Sequence, residues 1–305
     1  MALTKKTVKW INKLNISLKD KTVLVTGSNS GVGFKTVETA LYLGARVIMA
    51  CRNMEKAEAA REELIKDYPN ASIQILQLDL SDFSSIDSFT KNIIDHKIDI
   101  DIFVNNAGTF HRPGKTKDGF ENVLGTNYFA VYYLSGKILP YLKTLSHKVV
   151  YCNTISVVHK MAKIDYDDFY YTKKYNHFAV YARSKLCLAK YTYDLSQKYK
   201  ESNISVYMIH PGISVTPLGA NAFGDFIKQI AGMVKWVFNS PEKSALSLFY
   251  VLAKNLPSGS IAGPHILEAW GYPKENRVRK CVKTGADELK VFTDNEIKDI
   301  IYKVG

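Results

Sequence analysis

Cysteine is scarce in this chain, and the four that occur, Cys51, Cys152, Cys187 and Cys281, stand far apart with no CxxC pair among them. Neither a disulfide framework nor a metal site is indicated, and a reducing compartment fits best. Long apolar runs are missing too. Nowhere do about eighteen apolar residues follow one another, the length needed to span a bilayer, and residues 1–20 lack the continuous apolar stretch of a signal peptide. The expectation is a soluble, cytoplasmic protein. Internal repeats, low-complexity tracts and linkers are also absent, which leaves one domain over residues 21–305 behind an N-terminal extension of residues 1–20.

Charge is plentiful but unclustered. The formal net charge of +12 arises from Lys and Arg scattered among acids along the whole chain, without the basic arm or face of a nucleic-acid binder. Such a surface attracts anionic ligands, including a cofactor with several phosphates, through a field that salt weakens. In the extension, Val8, Trp10, Ile11 and Leu14 alternate with Lys5, Lys6, Lys9 and Lys13 as in a short amphipathic helix. Two readings stand open: a helix packed on its own domain, or one in peripheral contact with an anionic membrane.

From residue 22 onward, β-branched runs alternate with amphipathic stretches, the pattern of βαβ units. Strands are expected at 22–26, 46–51, 72–77, 100–105, 148–152, 205–210 and 265–267, and helices at 34–43, 54–67, 84–95, 119–141, 178–200 and 241–254. This is an α/β chain with a doubly wound, seven-stranded parallel sheet of the Rossmann type flanked by helices, in which ligands bind beyond the carboxyl ends of the strands.

The first strand runs into Thr26-Gly27-Ser28-Asn29-Ser30-Gly31-Val32-Gly33, and a helix follows. Glycines placed so let the backbone approach a pyrophosphate, while the first amides of the helix supply donors and partial positive charge. A glycine cluster alone also suits an ordinary strand-to-helix turn; the order strand, turn, helix favours the phosphate cradle. The second strand ends Cys51-Arg52-Asn53, where an NAD-binding protein would usually carry an acid for the ribose hydroxyls. Arg52, aided by Ser28 and Asn29, suits a ribose 2′-phosphate instead, so NADP(H) is the expected cofactor.

Farther along come Asn105-Asn106-Ala107-Gly108 after a strand, Asn127 in a helix, Ser156 after another strand, and Tyr181-Ala182-Arg183-Ser184-Lys185. Tyr181 and Lys185 lie four residues apart in a helical stretch and share a face. An ammonium beside a phenol stabilises the phenolate, so Lys185 is expected to lower the Tyr181 pKa from about 10 and let it exchange a proton with a substrate oxygen that Ser156 holds. An isolated Tyr-x-x-x-Lys among 19 tyrosines would count as a surface pair; here the context argues for chemistry.

Taken together with Asp79-Leu80 and Pro211-Gly212, these motifs give residues 20–270 a close resemblance to the short-chain dehydrogenase/reductase family. The resemblance implies that Asn127, Ser156, Tyr181 and Lys185 act together, with Asn127 helping to place a water that links Lys185 to solvent. It implies that Asp79 lies near the adenine, that Asn105, Ala107 and Gly108 line the cofactor, that Ile213 and Thr216 meet the nicotinamide carboxamide, and that Lys185 also holds the nicotinamide ribose. Homodimers or homotetramers built on the helices around Asn127 and Tyr181 are common among relatives.

Two departures matter. Ile155 stands where relatives often carry a first serine, and twenty-five positions separate Ser156 from Tyr181, about twice the compact spacing. The longer spacing and the Ala50-Cys51-Arg52-Asn53 stretch resemble the retinol-dehydrogenase-like branch. Segments 159–179 and 214–240 are expected to shape the substrate site, the second as an apolar lid containing Phe223, Phe226, Ile230 and Trp236, so the expected substrate is an apolar carbonyl compound or alcohol. His159 near Ser156 hints at a hydrolase pair, but no GxSxG elbow surrounds that serine, and His210 reads as a strand-end residue. Rival readings are an epimerase or dehydratase using the same cofactor, and a cofactor-sensing protein without turnover.

Overall fold

The computed structural model describes residues 3–110, 114–212 and 239–304. Eight strands form one sheet in the order β3-β2-β1-β4-β5-β6-β7-β8. They are β1 (Thr22–Thr26), β2 (Arg46–Cys51), β3 (Ile73–Gln77), β4 (Ile102–Asn105), β5 (Val149–Thr154), β6 (Ile204–Ile209), β7 (Ile261–Ile266) and β8 (Trp270–Asn276). The first seven run parallel; β7 and β8 form an antiparallel hairpin. Chain order reverses between β1 and β4, so a crevice opens at the carboxyl ends of the central strands.

Alternation along β1 divides the core. Leu24 belongs to one apolar cluster and Val23 and Val25 to another, one on each face of the sheet. All three are fully buried, and each contributes roughly 1.5–3 kcal/mol. Covering helices start where capping chemistry dictates. In α3 (Met54–Asp67) Asn53 Oδ1 accepts from the Lys56 amide at 2.8 Å. Asn176 likewise caps α7 (His177–Lys198), and Ser240 precedes Pro241 at the first turn of α8 (Pro241–Lys254). The other helices flanking the first half are α2 (Gly31–Tyr42) and α4 (Phe83–Asp95).

Several sequence expectations need correcting. Seven strands were expected and eight are present: β8, with Gly271 and Pro273, carries little strand signal, and it tolerates proline because it is an edge strand. The strand expected at 265–267 is the tail of β7, and Leu267 already belongs to the hairpin turn. In place of one helix over 119–141 there are a short α5 (Asn122–Leu124), a π-helical segment Gly125–Phe129 and α6 (Ala130–Thr144). Two helices beyond α8, α9 (Lys280–Lys283) and α10 (Ala286–Val304), had no counterpart in the expectation.

The N-terminal helix α1 (Lys5–Asn12) turns its apolar side to its own domain: Ile11 is buried, and the Trp10 ring stacks on Tyr272 with centroids 5.4 Å apart. Thr4 donates from its amide and hydroxyl to Glu242 Oε1 at 2.8 and 2.9 Å, while Lys5, Lys6, Lys9 and Lys13 face outward. No helix among the described residues is long and apolar enough to cross a membrane.

Candidate active site

A cleft of about 620 Å³ runs along the carboxyl ends of the central strands. Its floor is the turn from β1 into α2. Gly27 and Gly31 hold φ of +64° and +59°, a region that side-chain-bearing residues avoid. Space is also short. A Cβ on Gly33 would lie 2.5 Å from Asn106 Nδ2 and 2.6 Å from the Gly27 oxygen. The turn after β4 is fastened to this loop: Thr26 Oγ1 accepts from the Asn106 and Ala107 amides, both at 3.0 Å, and Asn106 Nδ2 donates to the Thr26 oxygen at 2.9 Å.

Of the residues expected to bind a cofactor, Gly27, Asn29, Gly31, Val32, Gly33 and Arg52 line the β1–β2 end of the cleft. Asp79 and Leu80 after β3, Ala107 and Gly108 after β4, and Pro211 and Gly212 after β6 line it as well. Ser28 and Asn105 do not. Ser28 is fully buried with its hydroxyl 3.5 Å from Cys51 Sγ. Asn105 donates to Tyr151 OH at 2.7 Å and Asn153 Oδ1 at 2.8 Å within the core. Ile213, Thr216 and residues 214–238 of the expected lid lie outside the described residues.

Ser156, Tyr181 and Lys185 come together at the other end of the cleft. Ser156 follows β5, and its hydroxyl lies near enough to the Tyr181 phenol to lower that group's pKa. Tyr181 and Lys185 project from the first turns of α7. Lys185 Nζ lies 5.9 Å from the Tyr181 ring centroid and donates to the Thr154 oxygen at 2.8 Å. Asn127 stands behind them, fully buried in the π-helical segment. Its side chain brackets Thr109, accepting from the amide at 2.7 Å and donating to the oxygen at 2.9 Å, and it reaches Ser184 Oγ at 3.1 Å. It thus ties the turn after β4 to α7.

Residues 21–225 match the family model described as short chain dehydrogenase. The chain belongs to that family.

Among its relatives, human retinol dehydrogenase 13 is 34% identical over 241 residues, covering 77% of this chain and 72% of that one. Human retinol dehydrogenase 12 is 35% identical over 202 residues, covering 66% and 64%. This dehydrogenase is therefore an oxidoreductase of the retinol-dehydrogenase-like branch. A crystal structure of an uncharacterised protein from Mycobacterium paratuberculosis, 27% identical, superposes with a TM-score of 0.73 over 92% of this chain and 95% of that one. Two more distant structures share the fold. A short chain dehydrogenase from Shigella flexneri complexed with NADP has 22% identity, a TM-score of 0.61 and coverage of 77% and 92%. A ketoacyl-(acyl-carrier-protein) reductase from Brucella melitensis complexed with NADH has 22% identity, a TM-score of 0.62 and coverage of 80% and 96%.

Electrostatics in the dehydrogenase depart from the sequence expectation. Burial pushes the Tyr181 phenol above its usual pKa, opposed by the Ser156 hydroxyl. Burial outweighs any help from Lys185, whose ammonium donates to the Thr154 oxygen and is itself brought down to about 8 by burial. His159 is buried, with Nδ1 2.6 Å from the Ser156 carbonyl oxygen and burial holding its pKa low. It holds the turn and does not face the serine hydroxyl as a base. His210, brought to about 4 by burial, accepts from the Gly212 amide at 3.3 Å.

Sequence reasoning missed several lining groups. Lys56, in the first turn of α3, lines the cleft together with Arg52, which precedes that helix. Phe110, Val157, Val158 and Phe178 line the Ser156 end, and Phe110 meets Tyr181 edge-on at 5.0 Å. The tyrosine-rich insertion before α7 is covered by α10. Phe169 packs on Phe292 at 4.4 Å and Tyr170 OH donates to Glu296, while Tyr128 OH of the π-helical segment lies 2.6 Å from Thr293 Oγ1. Arg183 fastens the same insertion from α7 through the oxygens of Lys163, Asp168 and Phe169.

Proposed function

We propose that this dehydrogenase uses NADP(H) and interconverts an apolar carbonyl compound and its alcohol. The observation that carries the reading is the polarity of the cleft. Two cations, Arg52 and Lys56, line the end beside β2, and a hydroxyl, a phenol and an amine meet at the other end beneath Phe110, Val157, Val158 and Phe178. The glycine cradle fits a pyrophosphate, since Cβ atoms at Gly27 or Gly33 would crowd the turn after β4. Arg52 and Lys56 suit a ribose 2′-phosphate by charge, and no carboxylate follows β2 to favour a free ribose hydroxyl.

When bound, the nicotinamide supplies or takes the hydride. The protein's part is the proton and the placement. Burial keeps the Tyr181 phenol protonated at neutral pH, so in the reductive direction it donates to the substrate oxygen. Ser156 holds that oxygen by a hydrogen bond that strengthens as negative charge develops on it. Lys185, anchored on the Thr154 oxygen, presents a cation at the cleft wall for the nicotinamide ribose, and Asn127 keeps the turn after β4 in register with α7. The apolar walls favour a hydrophobic substrate, and the relatives named as retinol dehydrogenases agree with that class.

The test is single-turnover NADPH oxidation against retinal, decanal, benzil and p-nitrobenzaldehyde, using cofactor labelled at the transferred hydride. The label should appear in the alcohol. Tyr181→Phe should lower the rate by about 10²–10⁴-fold and leave NADPH affinity within about twofold. Reduction by Tyr181→Phe at the wild-type rate would refute the assignment, and product formed with the label still on the cofactor would point to an epimerase or dehydratase.

A further inference from the structure

The β7–β8 hairpin closes through a tight turn in which the Ala269 amide donates to the Ile266 oxygen at 2.9 Å. Its two central residues, Leu267 and Glu268, hold φ of +49° and +55°. Turns of this shape ordinarily take Asn-Gly, and two successive residues with full side chains are strained there. Strain of this kind persists where surrounding contacts enforce it.

Glu268 supplies those contacts. Its carboxylate forms an ion pair with Lys160 Nζ and lies 3.7 Å from His210 Nε2. Neither partner lines the cleft, but each adjoins a segment that does, Ser156–Val158 on one side and Pro211–Gly212 on the other. Lys160 sits in the 3₁₀ turn Val157–Met161 that follows Ser156, next to His159, which grips the Ser156 oxygen. His210 precedes Pro211 and Gly212 and accepts from the Gly212 amide. The hairpin also presses directly on that second wall: a Cβ on Gly212 would lie 2.3 Å from the Ala269 oxygen. The pair is largely sheltered, with side-chain exposures of 11% for Lys160 and 22% for Glu268. One carboxylate at the sheet edge is therefore ion-paired to the segment after Ser156 and lies beside the histidine that precedes Pro211, whose Nε2 bonds Asn276 Oδ1 at 3.2 Å.

We propose that Glu268 and Lys160 are positioning residues, a clasp that sets the separation between the Ser156 turn and the Pro211–Gly212 turn. This rests on the reading of Ser156 as the group that holds the substrate oxygen. Neither residue touches substrate. The clasp acts on where the Ser156 hydroxyl stands relative to Tyr181, so loosening it lowers the chemical rate and weakens substrate binding, while the dinucleotide keeps its main anchorage in the glycine cradle and the Arg52–Lys56 end.

The test is a double-mutant cycle of Glu268→Gln and Lys160→Met, with Glu268→Asp as the conservative variant and Ser156→Ala alongside. The substrate is the fastest carbonyl compound of the panel above. Each single variant should lower kcat/KM by roughly 10- to 100-fold, the scale of an ångström-sized misplacement. NADPH affinity should stay within about twofold, the double variant should be no worse than the poorer single, and Glu268→Asp should recover part of the loss. If Ser156→Ala turns over at the wild-type rate, the underlying reading fails. If Ser156→Ala is impaired but Glu268→Gln and Lys160→Met keep wild-type kcat/KM, or if their losses simply multiply in the double variant, the clasp is refuted. A parallel fall in NADPH affinity in both single variants would also refute it, because a general loosening of the fold would then explain the effect.

Discussion

Replacing Lys185 by methionine should stabilise the folded protein at neutral pH while removing its activity. The ammonium is buried and donates to the Thr154 oxygen, and burial lowers its pKa from 10.5 to about 8. At 1.36 kcal/mol per pH unit, keeping it charged costs the fold roughly 3 kcal/mol. Methionine removes that cost but forfeits a charge-assisted hydrogen bond of about 1.5 kcal/mol, which leaves a net gain of about 1–2 kcal/mol. Unfolding entropies of about 2.1 cal/mol/K per residue over a chain of 305 residues translate this into a rise in Tm of roughly 2–3 °C. The pH dependence carries the sharper test. Below pH 8 both the folded and unfolded wild-type chains hold the proton, and the cost stands in full. Between pH 8 and 10.5 the unfolded chain binds the proton more than the folded chain does, so wild-type stability rises relative to the variant. Thermal melts of both proteins without cofactor, from pH 7 to 10, should show the variant's advantage holding to about pH 8, then shrinking and reversing towards pH 10. A difference that stays constant across that range, or a variant less stable at pH 7, would show that Lys185 bears no burial cost.

Gly33→Ala should weaken NADPH binding at least about tenfold in a fluorescence titration and cost about 1–3 kcal/mol in denaturant melts, because its Cβ would meet Asn106 Nδ2 at 2.5 Å and the Gly27 oxygen at 2.6 Å; unchanged affinity would mean that the cradle is looser than its geometry indicates. Calorimetry should find NADPH preferred over NADH by about tenfold or more, equivalent to roughly 1.4 kcal/mol, and Arg52→Asp should erase the preference. Equal wild-type affinities would overturn the role given to Arg52.

The parts of the site legible in the sequence were those where backbone conformation or helical spacing decides the outcome. Gly27 and Gly31 announce left-handed turns, and four residues on a helix bring Tyr181 and Lys185 to one face. Side-chain direction was less accessible. Ser28 and Asn105 belong to cofactor-loop motifs, yet one turns to Cys51 and the other to Tyr151 and Asn153, because position in a motif does not reveal which buried partner a polar group will find. The sign of the Tyr181 shift followed from burial, which a local pairing argument with Lys185 leaves out. β8 was hidden by its glycine and proline. α10 had a readable trace in Leu289, Thr293 and Ile297, all buried at four-residue spacing.

Because α10 covers the insertion between Ser156 and Tyr181, the order of synthesis bears on how the chain folds. Phe169, Tyr170 and Tyr128 find their partners in Phe292, Glu296 and Thr293, well over a hundred positions later. A nascent chain could complete the β1–β4 half early, but the aromatic surface of Tyr128, Phe169 and Tyr170 stays open to solvent until residues 286–304 have left the ribosome. During that interval the growing polypeptide exposes a sticky aromatic face, a natural point of attachment for chaperones and a hazard for self-aggregation.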